Sequence, residues 1–214
     1  MILYVNGDSH SLGTMKPGES GASFVEILST RLNFPIHNDA ESASSAQRII
    51  RTTKQYVGSV DLTKVFVLIG WGTWEREEWE HNGKFYNVMQ HWYKHLPDVL
   101  QQKYHTWLAD QNTDLIDKKS RQTHEEIFQL HQFLQSLKIP HLFFNCMYNF
   151  FSISDAQKKD WNNCYIDPYD NDASYYWYLT KQGYASDKWY HFGPDGHQAW
   201  ANFLFRQIET NNIL

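Results

Sequence analysis

Residues 2–9 read Ile-Leu-Tyr-Val-Asn-Gly-Asp-Ser. The first four side chains are apolar and predict a short buried strand, and Gly7 allows the chain to turn sharply after it. Ser9 therefore stands directly beyond the end of a predicted strand. In open α/β sheets ligands bind at the carboxyl ends of the strands, so this loop is a place where a nucleophile can act.

Strand and helix patterns alternate along much of the remaining chain. Val65-Phe-Val-Leu-Ile is a continuous apolar run, typical of a strand buried on both faces of a parallel sheet. A weak strand pattern occupies residues 34–37, and a further strand is predicted at residues 141–145, directly after Ile139-Pro140. Helical periodicity occupies residues 20–32, 44–56 and 196–213. This alternation predicts right-handed crossovers and a parallel sheet covered by helices on both sides.

We expect one α/β domain over residues 1–214. Residues 75–137 are mostly helical in pattern, with breaks near Pro97 and Asn112, and predict two or three helices. Residues 75–80 are interpreted either as a solvated helix start or as part of an active loop. The functional loops are expected after Val5, His37, Ile69 and Asn145.

Composition narrows the function classes. The formal charge is −5, with 19 basic and 24 acidic residues in no long run of either sign, which predicts no nucleic-acid partner. The sequence shows no signal peptide and no membrane span, so we expect a soluble cytoplasmic protein with no membrane partner. The two cysteines, Cys146 and Cys164, are expected to be reduced thiols.

Two blocks at opposite ends of the chain resemble the SGNH/GDSL hydrolases. The first is Gly7-Asp-Ser9, and the second is His191-Phe-Gly-Pro-Asp-Gly-His197, which places a histidine just before the last predicted helix. The resemblance implies a three-layer α/β/α, flavodoxin-like fold with a central parallel sheet of about five strands. It also implies that Ser9 is the nucleophile and that His191 is its general base.

The resemblance further implies an acid that orients the histidine. The family places an Asp three residues before the His, but Lys188 stands there and Asp187 lies one residue earlier. Asp187 is our candidate, reaching the ring if the turn holds one extra residue, with Asp170, Asp172 or a backbone carbonyl as alternatives. His197 is a competing base, interpreted instead as a residue at a helix start that bonds a loop.

Three donors are expected to stabilise the oxyanion. They are the Ser9 N–H, the Ala43 N–H if the φ of Ala43 is negative, and the Thr73 hydroxyl. Thr73 takes the place of an asparagine that the family has in this loop and that this chain lacks. Arg76 is a longer-range candidate for the third donor. The possible substrate rim consists of Asp8, His10, Trp71, Trp74, Trp189 and Tyr190.

The sequence favours a serine esterase acting on small O-acyl esters. Aromatic residues make up 16% of the chain, with nine Trp, which leans toward an O-acetylated carbohydrate as the substrate, although aromatic residues also fill cores. No cofactor and no metal are predicted. The alternatives are a catalytically degenerate binding or structural protein of the same fold and a metal-dependent phosphoesterase using Asp8 and histidines.

Overall fold

The computed structural model describes residues 1–214 and contains six strands and seven helices. The strands are β1 (Ile2–Gly7), β2 (Ile36–Asn38), β3 (Val65–Trp71), β4 (Glu77–His81), β5 (Lys84–Val88) and β6 (His141–Asn145). The helices are α1 (Ser9–Leu12), α2 (Phe24–Leu32), α3 (Ala46–Val57), α4 (Asp98–Ala109), α5 (Thr113–Ser136), α6 (Tyr175–Lys181) and α7 (Pro194–Thr210). None of these helices combines the length and the apolar character needed to cross a membrane.

The central sheet is parallel and has the strand order β2-β1-β3-β6. It has four strands, whereas the resemblance implied about five. Beyond β6 the chain makes one parallel bridge, between Tyr165 and Phe143. This segment cannot extend into a strand because Asn162 and Asn163 adopt left-handed φ values of 48° and 61° before it, and Pro168 offers no N–H after it.

Alternation along the strands divides the core into two layers, which confirms the predicted α/β/α architecture. Leu3 and Val5 of β1 pack on one face with α2 and α7, whereas Tyr4 packs on the other face with α3 and α5. Successive strand residues point to opposite faces, so an apolar run such as residues 65–69 contributes to both layers. Strands β1, β3 and β6 are thereby buried on both sides, whereas the residues of the edge strand β2 are exposed.

Residues 77–88 form a β-hairpin, so the interpretation of residues 75–80 as a solvated helix start is wrong. Strands β4 and β5 are antiparallel, and the turn residues Asn82 and Gly83 have φ values of 52° and 74°. Two successive positive φ values make a type I′ turn, which Asn-Gly favours. The hairpin buries Trp79 against Trp107 of α4 in a small separate core.

The helices after the hairpin agree with the predicted number, because α4 and α5 occupy residues 98–136. The region from 152 to 190 contains α6. Ser174 caps this helix by accepting the N–H of Trp177. The last helix, α7, begins with Pro194, two residues earlier than the periodicity indicated.

Candidate active site

Ser9 lies on a sharp turn at the carboxyl edge of the sheet. Gly7 ends β1 with a φ of 146°, and a Cβ there would stand 2.2 Å from the Ser11 Oγ and 2.5 Å from the Gly70 carbonyl oxygen. Only glycine fits this turn. Asp8 then caps the one-turn helix α1 by accepting the N–H of His10 at 3.0 Å, which makes Ser9 the first helical residue.

His191 is the histidine that contacts Ser9. Its Nε2 lies 3.1 Å from the Ser9 Oγ, although 182 residues separate the two in sequence. Burial lowers the pKa of His191 below its ordinary value of 6.5, and His10 lowers it further, while Asp187 opposes the shift. The imidazole is therefore neutral at neutral pH and able to accept the hydroxyl proton.

Asp187 approaches the other ring nitrogen of His191. Its Oδ2 lies 3.4 Å from Nδ1, and its Oδ1 accepts the N–H groups of Trp189 and His191 at 2.7 and 2.9 Å. Burial alone would raise the pKa of Asp187, but these N–H donors outweigh it and lower the pKa. Tyr190, with a φ of 69°, takes up the one extra residue in the turn.

The alternative acids lie elsewhere. Asp170 caps a short 3-10 turn at Asn171–Ala173, and Asp172 pairs with Lys181. Asp187 is thus the carboxylate that the structure brings to His191, and its assignment as the third member of a triad stays a prediction.

The three expected oxyanion donors differ in availability. The N–H groups of Ser9 and Ala43 donate to no protein acceptor. Ala43 has a φ of 65°, so the condition of a negative φ is not met, although its N–H remains free. The Thr73 hydroxyl lies 2.6 Å from a Glu75 carboxylate oxygen and donates to it, so this hydroxyl is already used.

Asp8 and His10 form a buried network behind Ser9 and do not line a substrate rim. Asp8 is fully buried, and its two oxygens lie 2.9 Å from the His10 Nδ1 and 2.9 Å from the Arg76 Nη1. Burial would raise the pKa of Asp8, but His10 and Arg76 outweigh it and hold the pKa far below its ordinary value. The carboxylate is therefore charged at neutral pH.

Sequence reasoning missed the Asp8–Arg76 ion pair, which joins residues 68 positions apart. Gly72 makes room for it, since a Cβ there would lie 2.7 Å from the Arg76 Nη1 and 3.1 Å from the Asp8 Oδ2. The Nη1 of Arg76 is thereby committed to Asp8, while its Nε is buried without a partner. The Gly-Trp-Gly spacing of residues 70–72 was the available signal, because paired glycines often mark a close approach.

The predicted aromatic rim divides into a buried pair and an exposed pair. Trp71 is completely buried against Phe143, and Trp74 stacks on Phe150, so neither tryptophan lies on a rim. Trp189 and Tyr190 are 61% and 43% exposed, directly before His191. Only this second pair is accessible to a substrate.

Comparisons with known proteins bear on the fold. No family model matches the sequence, and no curated protein matches it. The α/β hydrolase LAE5 from the metagenome of Lake Arreo is similar in structure, with 15% identity over 96% of this chain and 93% of that chain and a TM-score of 0.50. The chain has an SGNH/GDSL-like fold.

Two further solved structures are similar over nearly their whole length. A member of the lipolytic protein G-D-S-L family from Veillonella parvula shares 14% identity over 96% of this chain and 97% of that chain, with a TM-score of 0.48. A catalytic mutant of Axe2, an acetylxylan esterase from Geobacillus stearothermophilus, shares 13% identity over 96% and 93%, with a TM-score of 0.48. At such identities the likeness concerns the fold.

Within the SGNH/GDSL-like fold, His197 has a different task from His191. Its Nδ1 accepts the N–H of Phe24, the first residue of α2, at 3.1 Å. Burial lowers the pKa of His197 to about 4, so the ring stays neutral and keeps this lone pair. His197, in the first turn of α7, thus satisfies one of the N–H groups that the start of α2 leaves open, so its partner is this helix start and not the loop that we expected.

One group of potential metal ligands lies at the candidate site of this fold, formed by Asp8, His10 and Cys146. Both oxygens of Asp8 are already bound by His10 and Arg76, and the guanidinium places a positive charge where a cation would have to bind. Burial also raises the pKa of the Cys146 thiol well above its ordinary value. These residues do not fit the metal-dependent phosphoesterase alternative.

Proposed function

We propose that this protein is a serine ester hydrolase in which Ser9 is the nucleophile and His191 the general base. The observation that carries the proposal is the 3.1 Å contact between the Ser9 Oγ and the His191 Nε2, with the Asp187 carboxylate on the far side of the ring. A serine hydroxyl is a poor nucleophile until a base within hydrogen-bond reach takes its proton. The SGNH/GDSL-like fold is compatible with this chemistry.

The reaction proceeds in two halves through a covalent intermediate. The Ser9 Oγ attacks the ester carbonyl while the His191 Nε2 takes the hydroxyl proton, and the imidazolium then protonates the departing alcohol. Water next attacks the acyl-enzyme with the same imidazole as base, which releases the carboxylic acid and restores Ser9. Because the pKa of His191 is lowered, its imidazole remains neutral, and able to accept a proton, somewhat below neutral pH.

The oxyanion is stabilised in this proposal by the free N–H groups of Ser9 and Ala43. The third expected donor, Thr73, serves only if its hydroxyl leaves Glu75 when substrate binds. Loss of one such donor typically costs about 10²–10³ in rate, so we expect turnover well below that of an enzyme with three donors.

The substrates that we propose are small O-acyl esters, including O-acetylated carbohydrates. The exposed rings of Trp189 and Tyr190 stand beside the base, and Tyr190 lies edge to face with Tyr176 at 5.1 Å. Exposed aromatic faces can cover the C–H face of a sugar ring.

A second candidate is a binding module that has lost full catalysis. The committed Thr73 hydroxyl and the absence of an asparagine in its loop favour it. The two candidates differ in one measurable respect, since only the esterase turns over an ester in a way that needs Ser9.

The test is p-nitrophenyl acetate hydrolysis by the wild type and by Ser9→Ala, His191→Ala and His197→Ala. We expect the first two substitutions to lower kcat by at least about 10³-fold, because nucleophile and base act as a unit. His197→Ala is the matched control, because this histidine caps α2 and does not contact Ser9. We expect the folded His197→Ala variant to retain most of the turnover. Hydrolysis that is equal in wild type and Ser9→Ala would reject the esterase and leave the binding module.

The substrate class is tested at Trp189. This ring is 61% exposed, so Trp189→Ala leaves thermal stability nearly unchanged. We expect the KM for acetylated oligosaccharides to rise by about 10-fold, the effect of roughly 1.4 kcal/mol of lost stacking, while turnover of ethyl acetate is unaffected. Equal effects on both substrates would argue against a sugar platform.

A further inference from the structure

We propose that His131, His141 and Cys164 form a binding site for Zn²⁺ at the amino end of the sheet, remote from Ser9. His131 lies on α5, His141 begins β6, and Cys164 precedes the residue that bridges to β6. One ligand atom from each of the three residues lies within 4.8 Å of the others. The proposal does not depend on the proposed esterase function.

The hydrogen bonds of His141 prepare it as a ligand. Its Nδ1 lies 2.9 Å from the Ile139 carbonyl oxygen and donates to it, which leaves a lone pair on Nε2. Metal-binding histidines commonly donate their other ring N–H to a backbone carbonyl in this way, since that bond fixes tautomer and orientation. The lone pair of His141 points at the Nδ1 of His131, 2.9 Å away.

His131 is buried and only half satisfied. With the His141 Nε2 as an acceptor, the His131 Nδ1 carries the proton between the rings, and its Nε2 is buried without any partner. Burial lowers the pKa of both rings, that of His141 to about 4, so both are neutral imidazoles as metal binding requires. A tautomeric shift to Nε2 frees the Nδ1 lone pair of His131.

A tight turn brings Cys164 to the pair. The Cys164 N–H donates to the Trp161 carbonyl at 2.8 Å, and the intervening Asn162 and Asn163 both have positive φ values. The Cys164 carbonyl in turn accepts the N–H of Phe143 in β6 at 2.8 Å, which fixes the cysteine beside that strand. Its backbone is thus held at both ends next to His141.

The distances require only a small adjustment. Zinc binds nitrogen at about 2.0–2.1 Å and sulfur at about 2.3 Å, so tetrahedral ligand atoms stand roughly 3.3–3.7 Å apart. The imidazole rings must separate by a few tenths of an ångström, and the Cys164 sulfur must move inward by at most about 1.2 Å from the 4.8 Å limit of the cluster. Cys164 is partly exposed, which leaves it room to move.

The fourth position can be filled by water. A cavity of about 350 Å³ borders the cluster and is lined by both His141 and Cys164, together with the amides of Asn162 and Asn211. Two imidazoles and one thiolate with an open position form a donor set that suits Zn²⁺. In contrast to the Asp8 cluster, these ligand atoms are bonded to no charged side chain: the two rings contact each other, and the Cys164 thiol donates to the Asn162 carbonyl at 3.4 Å.

Binding releases one proton. The proton between the rings moves to the His131 Nε2 and stays on the protein, whereas the Cys164 thiol loses its proton to buffer as the sulfur–zinc bond forms. Burial raises the pKa of this thiol, so the metal must supply the driving force for ionisation. Calorimetric titration with Zn²⁺ in buffers of different ionisation enthalpy measures the released proton directly.

The decisive experiment loads the wild type, Cys164→Ala, His131→Gln and Cys146→Ala with Co²⁺ as a spectroscopic substitute and titrates each with Zn²⁺. We expect one ion per chain and a thiolate-to-cobalt charge-transfer absorption in the wild type. Cys146→Ala, whose cysteine belongs to the other cluster, should retain both. Cys164→Ala should lose the absorption, and Cys164→Ala and His131→Gln should each weaken Zn²⁺ binding by more than about 100-fold.

Circular dichroism and thermal midpoints verify that each variant is folded. Cys164→Ser repeats the Co²⁺ and Zn²⁺ measurements with a side chain of similar size at this partly exposed position, and it should lose the charge-transfer absorption as Cys164→Ala does. Zn²⁺ should raise the Tm of the wild type and of Cys146→Ala but not that of Cys164→Ala. Absence of stoichiometric Zn²⁺ binding by folded wild type would overturn the proposal. Charge-transfer absorption that survives Cys164→Ala would overturn it as well.

Discussion

At the scale of single residues, the charge state of His191 controls the proposed chemistry. Burial and His10 lower its pKa below 6.5, while Asp187 raises it. A base must be neutral to act, so kcat/KM should increase with pH and level off once the free enzyme loses this proton. We expect the acid limb of the profile to have its midpoint below 6.5.

Replacing Asp187 by Asn tests the same balance. The lost carboxylate no longer raises the pKa of His191, so the acid limb should move to still lower pH. Because the imidazolium also loses its stabilising partner, kcat should fall by about 10²–10⁴-fold. A profile that keeps its midpoint in Asp187→Asn would show that another group orients the ring.

Ala43 carries a strain that the sequence did not reveal. A φ of 65° costs an L-residue roughly 1–2 kcal/mol, and glycine removes that cost while losing about 0.4–1 kcal/mol to unfolded-state entropy. We therefore expect Ala43→Gly to be at least as stable as the wild type in urea unfolding, and to retain turnover because the N–H is kept. Ala199→Gly within α7 is the control and should lose about 1 kcal/mol.

At the scale of elements, the Asp8–Arg76 pair fastens the end of β1 to the loop after β3. Asp8 is fully buried, and the Arg76 side chain is 11% exposed. Arg76→Met removes the guanidinium and leaves a buried carboxylate with only His10, so the free energy of unfolding should fall by about 3 kcal/mol at neutral pH. Lys64→Met, which breaks an exposed pair with Asp61, should leave it nearly unchanged.

The pH dependence of that loss has a definite sign. The pKa of Asp8 is depressed in the folded protein, so the pair contributes stability above the ordinary value of 3.8 and loses it as pH falls below that value. The stability difference between wild type and Arg76→Met should therefore be largest at neutral pH and should shrink in acid. A constant difference would mean that Arg76 acts through packing alone.

Some elements could be predicted from sequence and others could not, for physical reasons. Buried parallel strands such as β3 can be recognised in the sequence because every residue is apolar. The hairpin β4–β5 was hidden because the acidic residues of β4 resemble a helix start, although Asn82-Gly83 marks its turn. Local composition cannot distinguish such a hairpin from a helix start when the two strands cover only a small separate core.

At the scale of the whole molecule, the sequence could predict that Ser9 and His191 meet because both stand close to the ends of regular elements. Ser9 lies two residues after the end of β1, and His191 lies three residues before the start of α7. The partners that tune them depend on tertiary contacts, as Arg76 reaches Asp8 across 68 residues. Trp71 is buried and Trp189 is exposed, and no local sequence pattern distinguishes these two environments.

The central claim is that Ser9 is an activated nucleophile. Intact-mass analysis after treatment with a fluorophosphonate measures this directly, because only an activated serine is phosphonylated. We expect one adduct on the wild type, located at Ser9, and none on Ser9→Ala or His191→Ala, while His197→Ala still reacts. Folded wild-type protein that forms no adduct, or an adduct that persists in Ser9→Ala, would contradict the account.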